Sequence, residues 1–176
     1  LDDKIYELNE GMIVITDEKE IVSLGGIIGG MKSAVSDETK NVLLEAAYFD
    51  PISIAATGRK LQINSDARYR FERGVDPSFT LSGSHIATKM ILDLCGGEAS
   101  DIIIAGSVPS FEKKIIFDPQ KVNQLIGIEV NRARQLEILK SLGFSVKEVG
   151  YKIEIIVPAW RPDVHCEVDI IEEVAR

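Results

Sequence analysis

The sequence predicts an α+β chain in two units: a mixed strand-and-helix unit over residues 1–110, then a small winged-helix-like α+β unit over residues 111–176. Three observations predict it. The dipeptides Asp50-Pro51, Asp76-Pro77 and Asp118-Pro119 each place a capping carboxylate before a proline, the signature of a helix start. Two β-rich pairs, one near each end, read as hairpins around polar or glycine turns. Between the units, Gly106-Ser107-Val108-Pro109-Ser110 reads as a connector.

Taken in order, Met12–Thr16 and Ile21–Leu24 are short β-rich runs separated by Asp17-Glu18-Lys19-Glu20, a polar turn. Gly25-Gly26-Ile27-Ile28-Gly29-Gly30 follows, with two glycine pairs around two isoleucines. Either the backbone turns tightly there or its bare amides line a small pocket. Asn41–Phe49 reads as a buried strand with Glu45 in its middle. Glu45 then either faces water on an alternating strand or sits in a pocket and accepts a hydrogen bond from a ligand. Asp50-Pro51 opens a helix to about Leu61. Asp76-Pro77 opens another to about Leu94, with Ile86, Met90, Leu94, Ala87 and Ile91 at helical spacing and Gly96-Gly97 as the stop. A strand precedes Asp118-Pro119, whose helix ends at Gly127. Asn131 caps a further helix that ends at Gly143, and Phe144–Val149 and Tyr151–Val157 alternate around Gly150 as the second hairpin.

Composition narrows the function classes. The chain has 176 residues, 45% hydrophobic and 27% charged, values of a soluble globular protein long enough for a real core. No apolar run approaches the ~18 residues of a membrane span. Cys95 and Cys166 form no paired motif, which excludes a disulfide scaffold and a CxxC zinc site and fits a reducing, cytoplasmic setting; His165 beside Cys166 is too few ligands for zinc. The net charge of −8 argues against indiscriminate nucleic-acid binding. It lies wholly in residues 1–112, with 10 basic and 18 acidic residues, because residues 113–176 carry 10 of each. Arg59, Lys60, Arg68, Arg70 and Arg73 nevertheless cluster within that acidic segment, as an internal ion-pair network or as a docking site for phosphate. No Gly-Lys-Ser/Thr follows the glycine stretch, so it is no phosphate loop. Asp169, Glu172 and Glu173 fall within one helical turn, with Asp163 ahead of them. They are either a solvated acidic helix start or a set of oxygens for a hard ion such as Mg²⁺. Both chain ends lack the usual starts and breakers, so the chain reads as a piece of something larger.

Together the glycine stretch 25–30, Asn41-Val42-Leu43-Leu44-Glu45, Tyr69-Arg70-Phe71-Glu72-Arg73-Gly74-Val75-Asp76-Pro77, Leu142-Gly143-Phe144, Pro158-Ala159-Trp160-Arg161-Pro162-Asp163 and Ile171-Glu172-Glu173-Val174-Ala175-Arg176 resemble the beta-subunit family of bacterial phenylalanyl-tRNA synthetases. The resemblance implies that residues 1–110 are the later part of a tRNA-editing domain that hydrolyses mischarged Tyr-tRNA(Phe). It implies that residues 111–176 are an RNA-binding-associated module leading into a catalytic-like core. Gly29, Glu45, Ser65 and Ala67 match the editing pocket, Glu45 as the reader of the tyrosine hydroxyl; Asp163, Asp169, Glu172 and Glu173 match Mg²⁺ positions shared with an alpha subunit. The family's enzyme is an α2β2 ligase that joins phenylalanine to tRNA(Phe) with ATP. Its editing pocket also uses a histidine upstream of this chain, which His85 does not replace. The fragment would therefore hold no catalytic residue of its own and would be inactive alone. Two other classes stay open: a nucleic-acid-binding module without catalysis, resting on the winged-helix-like unit, and a free-standing aminoacyl-tRNA deacylase.

Overall fold

A computed structural model describes residues 2–176. The chain divides into two compact units, Leu1–Val108 and Pro109–Arg176.

The first unit begins with a three-stranded antiparallel sheet in the order β1-β2-β3: β1 Val14–Thr16, β2 Ile21–Leu24 and β3 Ile28–Gly29. The Asp17 carboxylate accepts the backbone N–H groups of Lys19 and Glu20 and so closes the β1–β2 turn. Gly26 turns β2 into β3 at φ +66°, and a Cβ there would stand 2.8 Å from the Phe49 ring, so both conformation and space favour glycine. Helix α1, Pro51–Lys60, is capped by Asp50, which accepts the Ser53 N–H at 2.8 Å. Helix α2, Asp66–Phe71, is capped by Ser65. Leu24, Ile27, Ile54 and Ile63 form the small core, flanked by Phe49 set edge-on to Phe71 at 5.1 Å between ring centres.

Two expectations for this unit are corrected. Asn41–Phe49 is not a buried strand: it has no regular structure, and Asn41–Ala46 are exposed. An apolar run becomes a strand only where another strand takes up its backbone hydrogen bonds, and the three-stranded sheet does not extend to it. The Asp76-Pro77 start also opens differently. Pro77–Phe79 is a 3₁₀ turn, and helix α3, Thr80–Cys95, follows it with no buried residue. Its apolar positions Ile86, Met90 and Leu94 are exposed.

The second unit runs β4 Lys113–Phe117, α4 Pro119–Ile126, α5 Arg132–Ser141, β5 Ser145–Val149, β6 Lys152–Val157 and α6 Glu167–Ala175. Its antiparallel sheet has the order β4-β6-β5, so the last strand of the hairpin lies in the middle. Along β6 the period of two sends Ile153, Ile155 and Val157 inward. They meet Phe117, Val122, Leu139, Phe144, Val164, Ile170 and Val174 in a continuous core beneath the helices. Asp118 and Asn131 cap α4 and α5 as their sequence positions predict. Gly143 leaves α5 at φ +86°, with the Trp160 ring 2.7 Å from where a Cβ would be. Helices and two small antiparallel sheets make the chain α+β. No helix among the described residues is long and apolar enough to cross a membrane.

Candidate functional site

The glycine stretch is held by its own backbone and by one side chain. Gly25 N–H donates to Ile13 O, and Gly30 N–H donates to Val22 O at 2.8 Å. A Cβ on Gly30 would lie 2.5 Å from that same carbonyl, so no side chain fits without moving backbone. Gly29 pairs with Ser23 across β2–β3. Ser65 joins the stretch to α2: its hydroxyl donates to Ile27 O and accepts Arg68 N–H at 3.0 Å. The residue is thus a helix cap and a tie between two segments at once.

Arg68 is the hub beneath it. One guanidinium nitrogen reaches Ile63 O at 2.6 Å, Asn64 Oδ1 at 3.0 Å and Gly58 O at 3.2 Å, while Nε donates to Glu72 at 3.0 Å. Gly58 has no side chain to obstruct this: a Cβ there would stand 2.3 Å from Arg68. Glu72 also pairs with Arg73, whose guanidinium stacks 3.7 Å above the exposed Tyr69 ring. A shallow cavity of about 330 Å³ opens here, lined by Asn64, Ser65, Asp66, Arg68, Tyr69 and Glu72.

Of the four residues expected in an editing pocket, Ser65 lines this cavity; Gly29, Glu45 and Ala67 are not among its walls. Glu45 lies on the irregular segment, exposed, yet neighbouring protein atoms withdraw its carboxyl enough from water to push its pKa above the ordinary carboxylate value. It has no hydrogen bond or ion pair among the described residues, so the carboxylate is available to a ligand. The basic cluster splits. Arg68 and Arg73 belong to internal networks, whereas Arg59, Lys60 and Arg70 are exposed without an ion pair among the described residues. The ion-pair reading of the basic cluster holds for Arg68 with Glu72, while the grip of Arg68 on backbone carbonyls was missed. Its visible signals were a glycine inside α1 and a glutamate four residues after the arginine.

The acidic set is distributed rather than gathered. Arg161 grips Glu173 through Nη1 at 2.9 Å and Nη2 at 2.7 Å, and grips Asp163 through Nε at 2.9 Å and Nη2 at 2.6 Å. That guanidinium holds both carboxyls below their ordinary range, and the two acids push its own pKa higher still. Asp169 accepts the backbone N–H of His165 at 2.7 Å and of Cys166 at 2.9 Å, which caps α6 and lowers its pKa. Glu172 faces solvent. Among the described residues no group of three or more His, Cys, Asp or Glu is arranged to hold a metal ion. As they stand, three of the four carboxylates are committed to donors within the protein and do not fit an ion.

Residues 1–96 match the family model of the B3/4 domain, and residues 115–176 match that of the tRNA synthetase B5 domain. Over its whole length the chain is 52% identical to the phenylalanine–tRNA ligase beta subunit of Cereibacter sphaeroides, 51% to that of Paramagnetospirillum magneticum and 49% to that of Ruegeria pomeroyi. It spans about a fifth of the length of these relatives, 21% of the first and 22% of the other two.

Proposed function

The chain belongs to the phenylalanine–tRNA ligase beta-subunit family, and on that premise we propose that its first unit is the later part of a tRNA-editing domain, which recognises tyrosine wrongly joined to tRNA(Phe). The second unit is then the winged-helix-like module leading into the rest of the beta subunit. In this reading the whole protein works in the cytoplasm with an alpha subunit as an α2β2 ligase, whose substrates are phenylalanine, ATP and tRNA(Phe). Mg²⁺ accompanies ATP there as an ion shared with the alpha subunit. The 176-residue chain alone neither activates phenylalanine nor clears Tyr-tRNA(Phe) efficiently.

The observation that carries the editing reading is Glu45: an available carboxylate with a raised pKa, in the same unit as a glycine stretch that Ser65 pins in place. Tyrosine differs from phenylalanine by one hydroxyl. An apolar pocket rejects an added hydroxyl only by about a hundredfold, whereas a site that must hydrogen-bond the hydroxyl refuses the analogue that lacks it far more strongly. The tyrosine O–H donates to Glu45, and phenylalanine leaves that carboxylate unpaired. Ser65 and the glycines act by position: they hold a wall against which the ester is oriented for attack by water. The ester C–O bond breaks, tyrosine leaves as the carboxylate, and the tRNA keeps its 3′-terminal hydroxyl.

The test is deacylation by the full-length ligase. Glu45→Ala removes a hydrogen bond to a charged group, about 1.5–3 kcal/mol, so the preference for Tyr-tRNA(Phe) over Phe-tRNA(Phe) is expected to fall by roughly ten- to a hundredfold. Phenylalanine attachment should be unchanged. A variant that folds normally and keeps its full preference overturns the assignment.

A further inference from the structure

We propose that Arg161 is the resident cation of the acidic set around α6, so that Asp163 and Glu173 form a clamp and are not ligands of a divalent ion. A guanidinium has five N–H donors in a fixed plane. Here Nε takes Asp163, Nη1 takes Glu173, and Nη2 takes one oxygen of each. Two carboxylates thus share one planar fork, the geometry in which arginine is strongest. Glu173 is only 7% exposed. A buried carboxylate needs a partner, and this one has both oxygens engaged. The Phe144 ring lies 5.6 Å from the guanidinium carbon and backs the clamp.

Mg²⁺ demands near-octahedral oxygens at about 2.0–2.1 Å and gives up water reluctantly. To take the oxygens of Glu173 it must displace a cation that makes five hydrogen bonds to the two carboxylates, and at Asp163 it must bind within close range of that cation's charge. Asp169 is engaged in capping α6. Glu172 faces solvent with no partner among the described residues, and Asp163, though also exposed, is held by Arg161. The clamp fastens the Pro158–Asp163 connection to the last turn of α6. This inference stands independently of the editing reading.

Mn²⁺, followed by water-proton relaxation, serves as the probe for Mg²⁺, both on this chain and on the ligase containing the full-length beta subunit. Asp163→Asn and Glu173→Gln are each compared with the unaltered protein, and thermal unfolding of this chain is recorded for both and for Arg161→Met. The expected result is that neither carboxamide changes the Mn²⁺ titration. Arg161→Met should lower Tm by about 10 °C or more, as for a broken buried ion pair, or fail to fold. Adding Glu173→Gln to Arg161→Met should recover part of that loss, since the stranded buried charge goes with it. A tenfold or larger weakening of a saturable Mn²⁺ site by either carboxamide overturns the proposal. So does an Arg161→Met chain with unchanged Tm.

Discussion

Among the described residues, the shorter second unit withdraws twelve apolar side chains from water around one sheet, whereas the longer first unit withdraws four. Each such side chain contributes about 1.5–3 kcal/mol, so burial alone does far less for the first unit. Polar ties take its place: Ser65 to the glycine stretch, and Arg68 to Gly58 in α1, to Ile63 and Asn64 on the α1–α2 connection and to Glu72. The proposed editing role calls on glycine backbone, small residues and an unspent carboxylate, and none of these builds a core. Among the described residues Glu45 therefore contributes no polar tie to that cohesion, whereas Ser65 serves as a tie as well as a wall of the cavity. The second unit can assign its charged residues to structure because its apolar core is already complete.

The largest effect that would sharpen this contrast is Phe117→Ala. Phe117 is fully buried, and its loss should cost about 3–5 kcal/mol. Amide hydrogen exchange should show protection lost at Ile155 in β6 while Ile54 in α1 keeps its own. Loss at both sites would mean that the units fold as one. An effect of intermediate size comes from acid. Arg161 holds Glu173 and Asp163 below their ordinary values of 4.5 and 3.8. The unfolded chain therefore takes up protons before the folded one does. The stabilisation is complete above about pH 4.5 and disappears as pH falls through the depressed values. Tm of the second unit should drop across that window, and Glu173→Gln should flatten the drop. An identical pH profile in the variant would show that the clamp is not its source. The smallest effect belongs to the first unit: Leu94→Ser on α3 removes an 80% exposed side chain and should change stability by less than about 0.5 kcal/mol. A clear loss in chemical denaturation would reveal packing on that helix within this chain.

Local chemistry made much of this fold legible. Asp50, Asp118 and Asn131 cap helices where their neighbours say they should, and the alternation of Tyr151–Val157 gives the central strand its inward face. Asp76-Pro77 shows the limit of a local rule, since a capped proline starts a 3₁₀ turn as readily as an α-helix. Asn41–Phe49 fails for a different reason: apolar composition marks what can be buried, while pairing depends on another strand. The site was legible in residue types more than in roles. Asp163 and Glu173 were picked out as acids that share a location, but the cation between them comes from Arg161, twelve residues before Glu173, across the connection into α6. Glu172 and Glu173 are adjacent in sequence, yet the helix turns about 100° per residue, so one meets water and the other Arg161.

Trp160, stacked over Gly143 and next to Arg161, is the only tryptophan in the chain. The indole is about half exposed, so its emission reports the connection into α6 and not the core. Tryptophan emission, excited selectively, therefore has its source in the second unit, whereas the first unit carries tyrosines only. A smooth two-state curve from Trp160 describes the clamp's own neighbourhood, and the unit that carries Glu45 must be followed through its tyrosines, Tyr6, Tyr48 and Tyr69.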